Sequence, residues 1–109
     1  MFLVTTETIA DQKTSEVKGA IFNEQVISVN IVKDAISGIK GIFGGKSTTY
    51  SDEYSKGRKL ALVELEEQAH RLSANAIVNT HISYNQFVNS DIMLIVVTAS
   101  GTAVVVEDC

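Results

Sequence analysis

The hydrophobic pattern is densest at the C-terminal end. Residues 91–108 read DIMLIVVTASGTAVVVED, with no charge between Asp91 and Glu107. At a period of two, one face carries Ile92, Leu94, Val96, Thr98, Ser100, Thr102, Val104 and Val106. The other carries Met93, Ile95, Val97, Ala99, Gly101, Ala103 and Val105. Neither face is charged, which predicts a strand buried on both sides. A chain this small has one helix layer to offer, and one layer shelters one side. The second side therefore requires a partner chain.

The rest of the chain falls into shorter patterned pieces. Residues 2–6 read as a short edge strand, and the polar residues 7–18 as a loop with a brief extended piece near Glu16. Strand character returns over 19–30. There Ala20, Phe22, Val26 and Ser28 point one way and Ile21, Ile27 and Val29 the other. The polar triplet Asn23, Glu24 and Gln25 marks a bulge or a break between two strands. From Ile31 the period becomes helical: Val32, Ala35, Ile36, Ile39, Ile42 and Phe43 form one stripe of a short amphipathic helix. Gly44 and Gly45 end it and open a loop over 46–49.

The main helix is predicted over 51–73. Ser51, Asp52 and Glu53 supply an N-cap and an acidic first turn, and His70 and Arg71 sit in the last turn, an order that suits the helix dipole. Its buried stripe is Tyr54, Ala61, Leu62, Leu65, Ala69 and Leu72, widened by Leu60 and Val63. Gly57, inside the helix, allows close packing. After a short connector at 73–75, residues 76–84 alternate cleanly. Ala76, Val78, Thr80, Ile82 and Tyr84 make an apolar face; Asn79, His81, Ser83 and Asn85 make a polar one, with Ile77 the exception. A turn over 85–90 leads into the closing strand, so these two strands should be antiparallel.

Length and charge narrow the classes. The chain has 109 residues, which suits a single domain over 1–109. A net charge of −4 gives no clustered cation surface for nucleic acid. Cys109 is the one cysteine, so no internal disulfide forms and a reducing cytoplasm is expected. The first residues lack a basic region and turn polar at Thr5, unlike a signal peptide. The longest apolar run, 92–97, is far too short for a bilayer, and no membrane partner is expected.

Several segments together carry a family resemblance. They are VISVN at 26–30 with IVKD after it, GIKGIFGGK at 38–46, the helix over 51–72, SANAIV at 73–78 and TASGTAVVVE at 98–107. In that order and at those distances they resemble the YbjQ-like family of small bacterial and archaeal proteins, which carries a heavy-metal-binding label. The resemblance covers nearly the whole chain. It implies an α+β, two-layer dodecin-like subunit of β-α-β-β order, with an antiparallel sheet and the long helix on one face. It also implies a homopentamer, which agrees with the two-faced final strand. It brings no catalytic motif.

Candidate chemistry is sparse. Gly44-Gly-Lys-Ser47 resembles the tail of a phosphate-binding P-loop, but the position five before Gly45 is Lys40, and the segment follows a helix rather than a strand. His70 lies one turn after Glu66 and is accounted for by the helix dipole. His81, on the polar strand face beside Ser83, is the candidate metal ligand, since five copies around one axis would supply donors that one chain lacks. Cys109 is the second candidate, because soft divalent metals prefer thiolate and imidazole. No Cys-x-x-Cys or His-x-His pair gives a preformed site in one subunit. Glu64, Glu66 and Glu67 spread around the helix as a solvated face, and no nucleophile context is present, so no enzyme is expected. The sequence therefore supports an oligomeric ligand-binding protein, heavy metal being the ligand class, or an assembly module without a small ligand. It leaves open which face of the closing strand meets a neighbour.

Overall fold

The computed structural model describes residues 1–30 and 46–109. Within them the order is β1 (Phe2–Leu3), β2 (Gln12–Asn30), α1 (Lys46–Arg71), β3 (Ala76–Asn89) and β4 (Ile92–Asp108). The strands form one sheet in the order β1-β3-β4-β2, with α1 lying across β2 and β4. The fold is α+β, as expected. Two details differ from the expectation. The sheet is mixed, because β1 runs parallel to β3 while β4 is antiparallel to both its neighbours. The chain also places two strands before the helix, so its order is β-β-α-β-β. The amphipathic helix expected over 31–43 lies outside the described residues.

β4 occupies the centre, where its uncharged pattern requires it to be. Its Met93, Ile95, Val97, Ala99 and Ala103 face α1 and are buried. The helix meets them with one column, Gly57, Ala61, Leu65 and Ala69, spaced four residues apart along a single face. Gly57 sets the approach: a Cβ there would lie 2.8 Å from Val97 Cγ2 and 3.0 Å from Ile27 Cδ1. Tyr54 and Leu62 pack at the margin, whereas Leu60, Val63 and Leu72 are exposed. The expected stripe is therefore right in its middle and too wide at its edges.

The helix begins at Lys46, ahead of the expected Ser51 cap, so residues 46–49 are helical rather than loop and the first turn holds no acid. Ser and Thr cost only a few tenths of a kcal/mol each in a helix, less than extending an existing hydrogen-bond ladder returns. At the other end His70 and Arg71 occupy the last turn as expected. Ser73, at φ 61°, reverses the chain, and Ala74 N–H closes onto Ala69 C=O.

β2 is the largest departure. It runs unbroken from Gln12, through the stretch read as a loop, to Asn30. Register shifts fall between Thr14 and Glu16 and between Val17 and Gly19, not at Asn23–Gln25, where pairing with β4 is continuous. Residues 12–18 are polar except for the exposed Val17, so no periodicity announces a strand; pairing with the far end of β4 makes one.

A second core, small and on the opposite side of the sheet, holds Ala76, Val78, Val104 and Val106 under Val4 and Ile9. The two-faced reading of β4 thus has an answer within the chain at its C-terminal end. The N-terminal segment covers the second face there, and Val104 and Val106 need no other partner.

Candidate functional site: the open face of the sheet

Residues opposite one another on paired strands share a face. On the side away from α1 the rows across β3, β4 and β2 are Phe87–Leu94–Ser28, Asn85–Val96–Val26, Ser83–Thr98–Glu24 and His81–Ser100–Phe22. No described element covers these rows. Phe22 and Val26 are each 62% exposed, Phe87 is 58% exposed, and Leu94 is exposed beside them. Phe87, Leu94, Val96 and Val26 thus form an apolar patch over two neighbouring rows, and Phe22 stands apart from it beyond the row that holds Glu24; the remaining positions are Ser, Thr, Asn and His.

The position of His81 on that face depends on a bulge. The pairing of β3 with β4 shifts between Val78 and His81, and Asn79 takes a φ of 53°. The two bulge residues turn to the N-terminal segment instead: Asn79 N–H donates to Thr6 C=O and Thr80 N–H to Val4 C=O. Above the bulge the alternation changes parity. Ile77 faces the helix below it and Ile82 faces the helix above it, while Ala76 and Val78 belong to the second core. Ile77 looked exceptional in the sequence because the strand contains this extra residue. Thr80 is buried, and its hydroxyl has no hydrogen-bond partner among the described residues.

His81, Ser83 and Asn85 lie together on the open face, as the alternation requires. Cys109 does not join them. It is exposed at the end of β4, its N–H donating to Asp11 C=O. It lies nine residues beyond the Ser100 that pairs with His81, roughly 30 Å along a strand. His70 opens instead onto a groove of about 580 Å³ at the end of α1, beside Met1, Phe2, Ala74 and Val106. The amides at that groove are occupied: Asn75 pairs with the backbone of Val106, and Gln12 Nε2 donates to Asp108 Oδ1 at 2.6 Å. Gly44 and Gly45 of the P-loop-like segment lie outside the described residues, and Lys46 and Ser47 open α1.

One cluster escaped the sequence because it joins a helix to a strand. Tyr54 of α1 meets Tyr84 of β3 edge-to-face, with ring centroids 5.3 Å apart. Tyr54 Oη donates to Gln86 Oε1 at 2.6 Å. Arg58 donates from Nη1 to Tyr84 Oη and from Nη2 to Ser55 Oγ, both at 3.3 Å.

A family model described as "Putative heavy-metal-binding" matches residues 1–107. The chain belongs to the YbjQ family. Curated YbjQ relatives agree over full length. A UPF0145 protein of Clostridium botulinum (strain Alaska E43) is 41% identical over 107 residues, covering 98% of this chain and 100% of that one. A UPF0145 protein of Haemophilus ducreyi is 39% identical over 106 residues, covering 97% and 99%. A crystal structure of a protein of unknown function from Pediococcus pentosaceus, placed in the DUF74 family, superimposes with a TM-score of 0.72. It is 15% identical and covers 98% of each chain, so it supports the fold.

The family description raises the question of metal fit. Among the described residues no group of three or more His, Cys, Asp and Glu side chains converges. A structural site for a borderline-soft divalent ion ordinarily takes four protein donors. The described part of one YbjQ-family subunit therefore does not by itself complete such a site. No helix among the described residues is long and apolar enough to cross a membrane.

Proposed function

We propose that this protein is a non-enzymatic, self-assembling cytoplasmic protein, a homopentamer of dodecin-like subunits. In this reading symmetry copies of His81 gather a soft divalent metal. The observation that carries it is the uncovered sheet face. Val26, Leu94 and Phe87 sit exposed on neighbouring rows of that face, and exposed apolar area of this kind marks an interaction surface. The elongation of the chain supports the same reading. Its radius of gyration is 17.7 Å, against about 13 Å for a compact chain of this length. Assembly would place His81 of several subunits at equivalent positions, and the family description names the ligand class.

Light scattering on the eluting protein tests the assembly. The expected mass is five times the 11.8 kDa of one chain; a mass of one chain would overturn the reading. Elemental analysis of the same peak, with zinc, copper and cadmium titrated against native protein and His81→Ala, tests the metal. Saturable uptake lost in His81→Ala is expected. A pentamer with no saturable uptake would leave the second reading, an assembly module without a small ligand. That reading is favoured by the lack of a converged donor group among the described residues.

A further inference from the structure

We infer that Arg58, Tyr84 and Ser55, with Lys59 beside them, form a binding site for a phosphate group. The inference is independent of the metal and of the assembly. Its basis is that each side chain of the cluster has a proton left to donate and that no described carboxylate neutralises it. The guanidinium has five N–H donors and no acceptor. Its two terminal nitrogens are held by the Tyr84 and Ser55 hydroxyls, each at 3.3 Å. Each hydroxyl has accepted from Arg58 and keeps its own proton to give. Ser55, Arg58 and Lys59 are related by three- and four-residue steps, so they share one face of α1. The described ion pairs are Lys13–Glu107, Lys18–Glu16 and Arg71–Glu67. Among the described residues, then, no carboxylate lies within 4.0 Å of Arg58 or Lys59. This positive cluster stands on a chain whose net charge is −4.

The cluster is exposed and is braced on its aromatic side. The edge-to-face contact at 5.3 Å locks Tyr84 against Tyr54, and Tyr54 is tied to Gln86 at 2.6 Å. Tyr84 is thereby positioned beside the Arg58 guanidinium. A forked guanidinium, two hydroxyl protons and an ammonium suit a tetrahedral oxyanion with several acceptor oxygens. A phosphate group meets that description, whether free, on a soluble monoester or on a lipid.

Calorimetry on the full chain at low ionic strength decides it, with inorganic phosphate, glycerol phosphate, and phosphatidylcholine vesicles containing phosphatidate as probes. Saturable binding of at least one probe is expected, weakening as salt is raised. Arg58→Gln is expected to weaken it about tenfold or more, since it removes charge-assisted hydrogen bonds. Tyr84→Phe keeps the ring packing and should weaken binding several-fold, while Arg71→Gln, whose guanidinium is already paired with Glu67, should leave it unchanged. Binding of the soluble probes alone assigns a free phosphate compound; binding of the vesicles alone assigns a lipid headgroup; both support the site. No saturable binding of any probe overturns it. So does Arg58→Gln or Tyr84→Phe, shown folded by circular dichroism, binding as tightly as the native chain.

Discussion

Single residues set the closest distances in this molecule. Gly57 is one: a methyl group there would meet Val97 Cγ2 at 2.8 Å and Ile27 Cδ1 at 3.0 Å. Two effects oppose each other in Gly57→Ala. Alanine gains about 1 kcal/mol of helix propensity, and overpacking costs about 1–3 kcal/mol. Net destabilisation of about 1 kcal/mol is expected, read as a lower urea midpoint; a raised midpoint would show that Val97 and Ile27 yield freely. Asn75 is another such residue. Its side-chain amide pairs with both backbone groups of Val106, at 2.9 and 2.8 Å, and so acts as a short stretch of neighbouring strand. Gln68 does the same for Phe22 on the outer edge of β2. The sequence marks Asn75 merely as a connector, because a side chain replacing a strand leaves no periodic trace. Asn75→Ala strands two backbone groups and should cost about 2 kcal/mol, a lowered melting temperature being the readout.

Elements were legible in proportion to how strongly one of their faces differs from the other. The middle of α1 and the start of β3 were readable because apolar and polar positions separate cleanly along them. The first third of β2 was not, because Gln12–Lys18 has only Val17 as an apolar residue and is held by the ladder with β4. The hairpin was longer than its pattern suggested: Asn89 pairs with Ile92, and the turn is Ser90 and Asp91 alone, with Ser90 at φ 59°. The bulge at Asn79 is the element-scale decision with the largest consequence. A one-residue slip sends every later side chain to the other face. Deleting Asn79 removes the extra residue, sets Thr80 opposite Gly101 and leaves His81 opposite Ser100, with Ile77, Ile82 and Tyr84 all on the helix side. The expected result is a chain that keeps its cooperative thermal transition; loss of that transition would show that the bulge and its contacts with the N-terminal segment are required for folding.

At the scale of the whole molecule, the two faces of the sheet are expected to respond oppositely to the same substitution. Val97 is fully buried beneath Gly57. Val97→Glu puts an unpaired carboxylate in the core, costs several kcal/mol and should abolish folding. Val26, on the open face, is 62% exposed. Val26→Glu should leave the melting temperature of the subunit nearly unchanged and reduce the native mass measured by light scattering. A Val26→Glu protein with the native mass would exclude that part of the face from the subunit contact. The candidate site was half legible for the same reason. Alternation alone places His81 with Ser83 and Asn85, but nothing local places Cys109 far from them or brings Arg58 to Tyr84.

The sequence by itself determined that residues 92–108 form a strand uncharged from Ile92 to Val106, that a long amphipathic helix precedes it, and that His81 stands on a polar row. Tertiary structure decided which side of that strand the helix took, how far β2 extends, and that the N-terminal segment shelters Val104 and Val106. The division has a physical cause. Periodicity records how a residue relates to its near neighbours along the backbone, whereas the covered side depends on which surfaces match closely. Here that match is between Gly57, Ala61, Leu65 and Ala69 of the helix and Met93, Ile95, Val97 and Ala99 of the strand, groups some thirty residues apart.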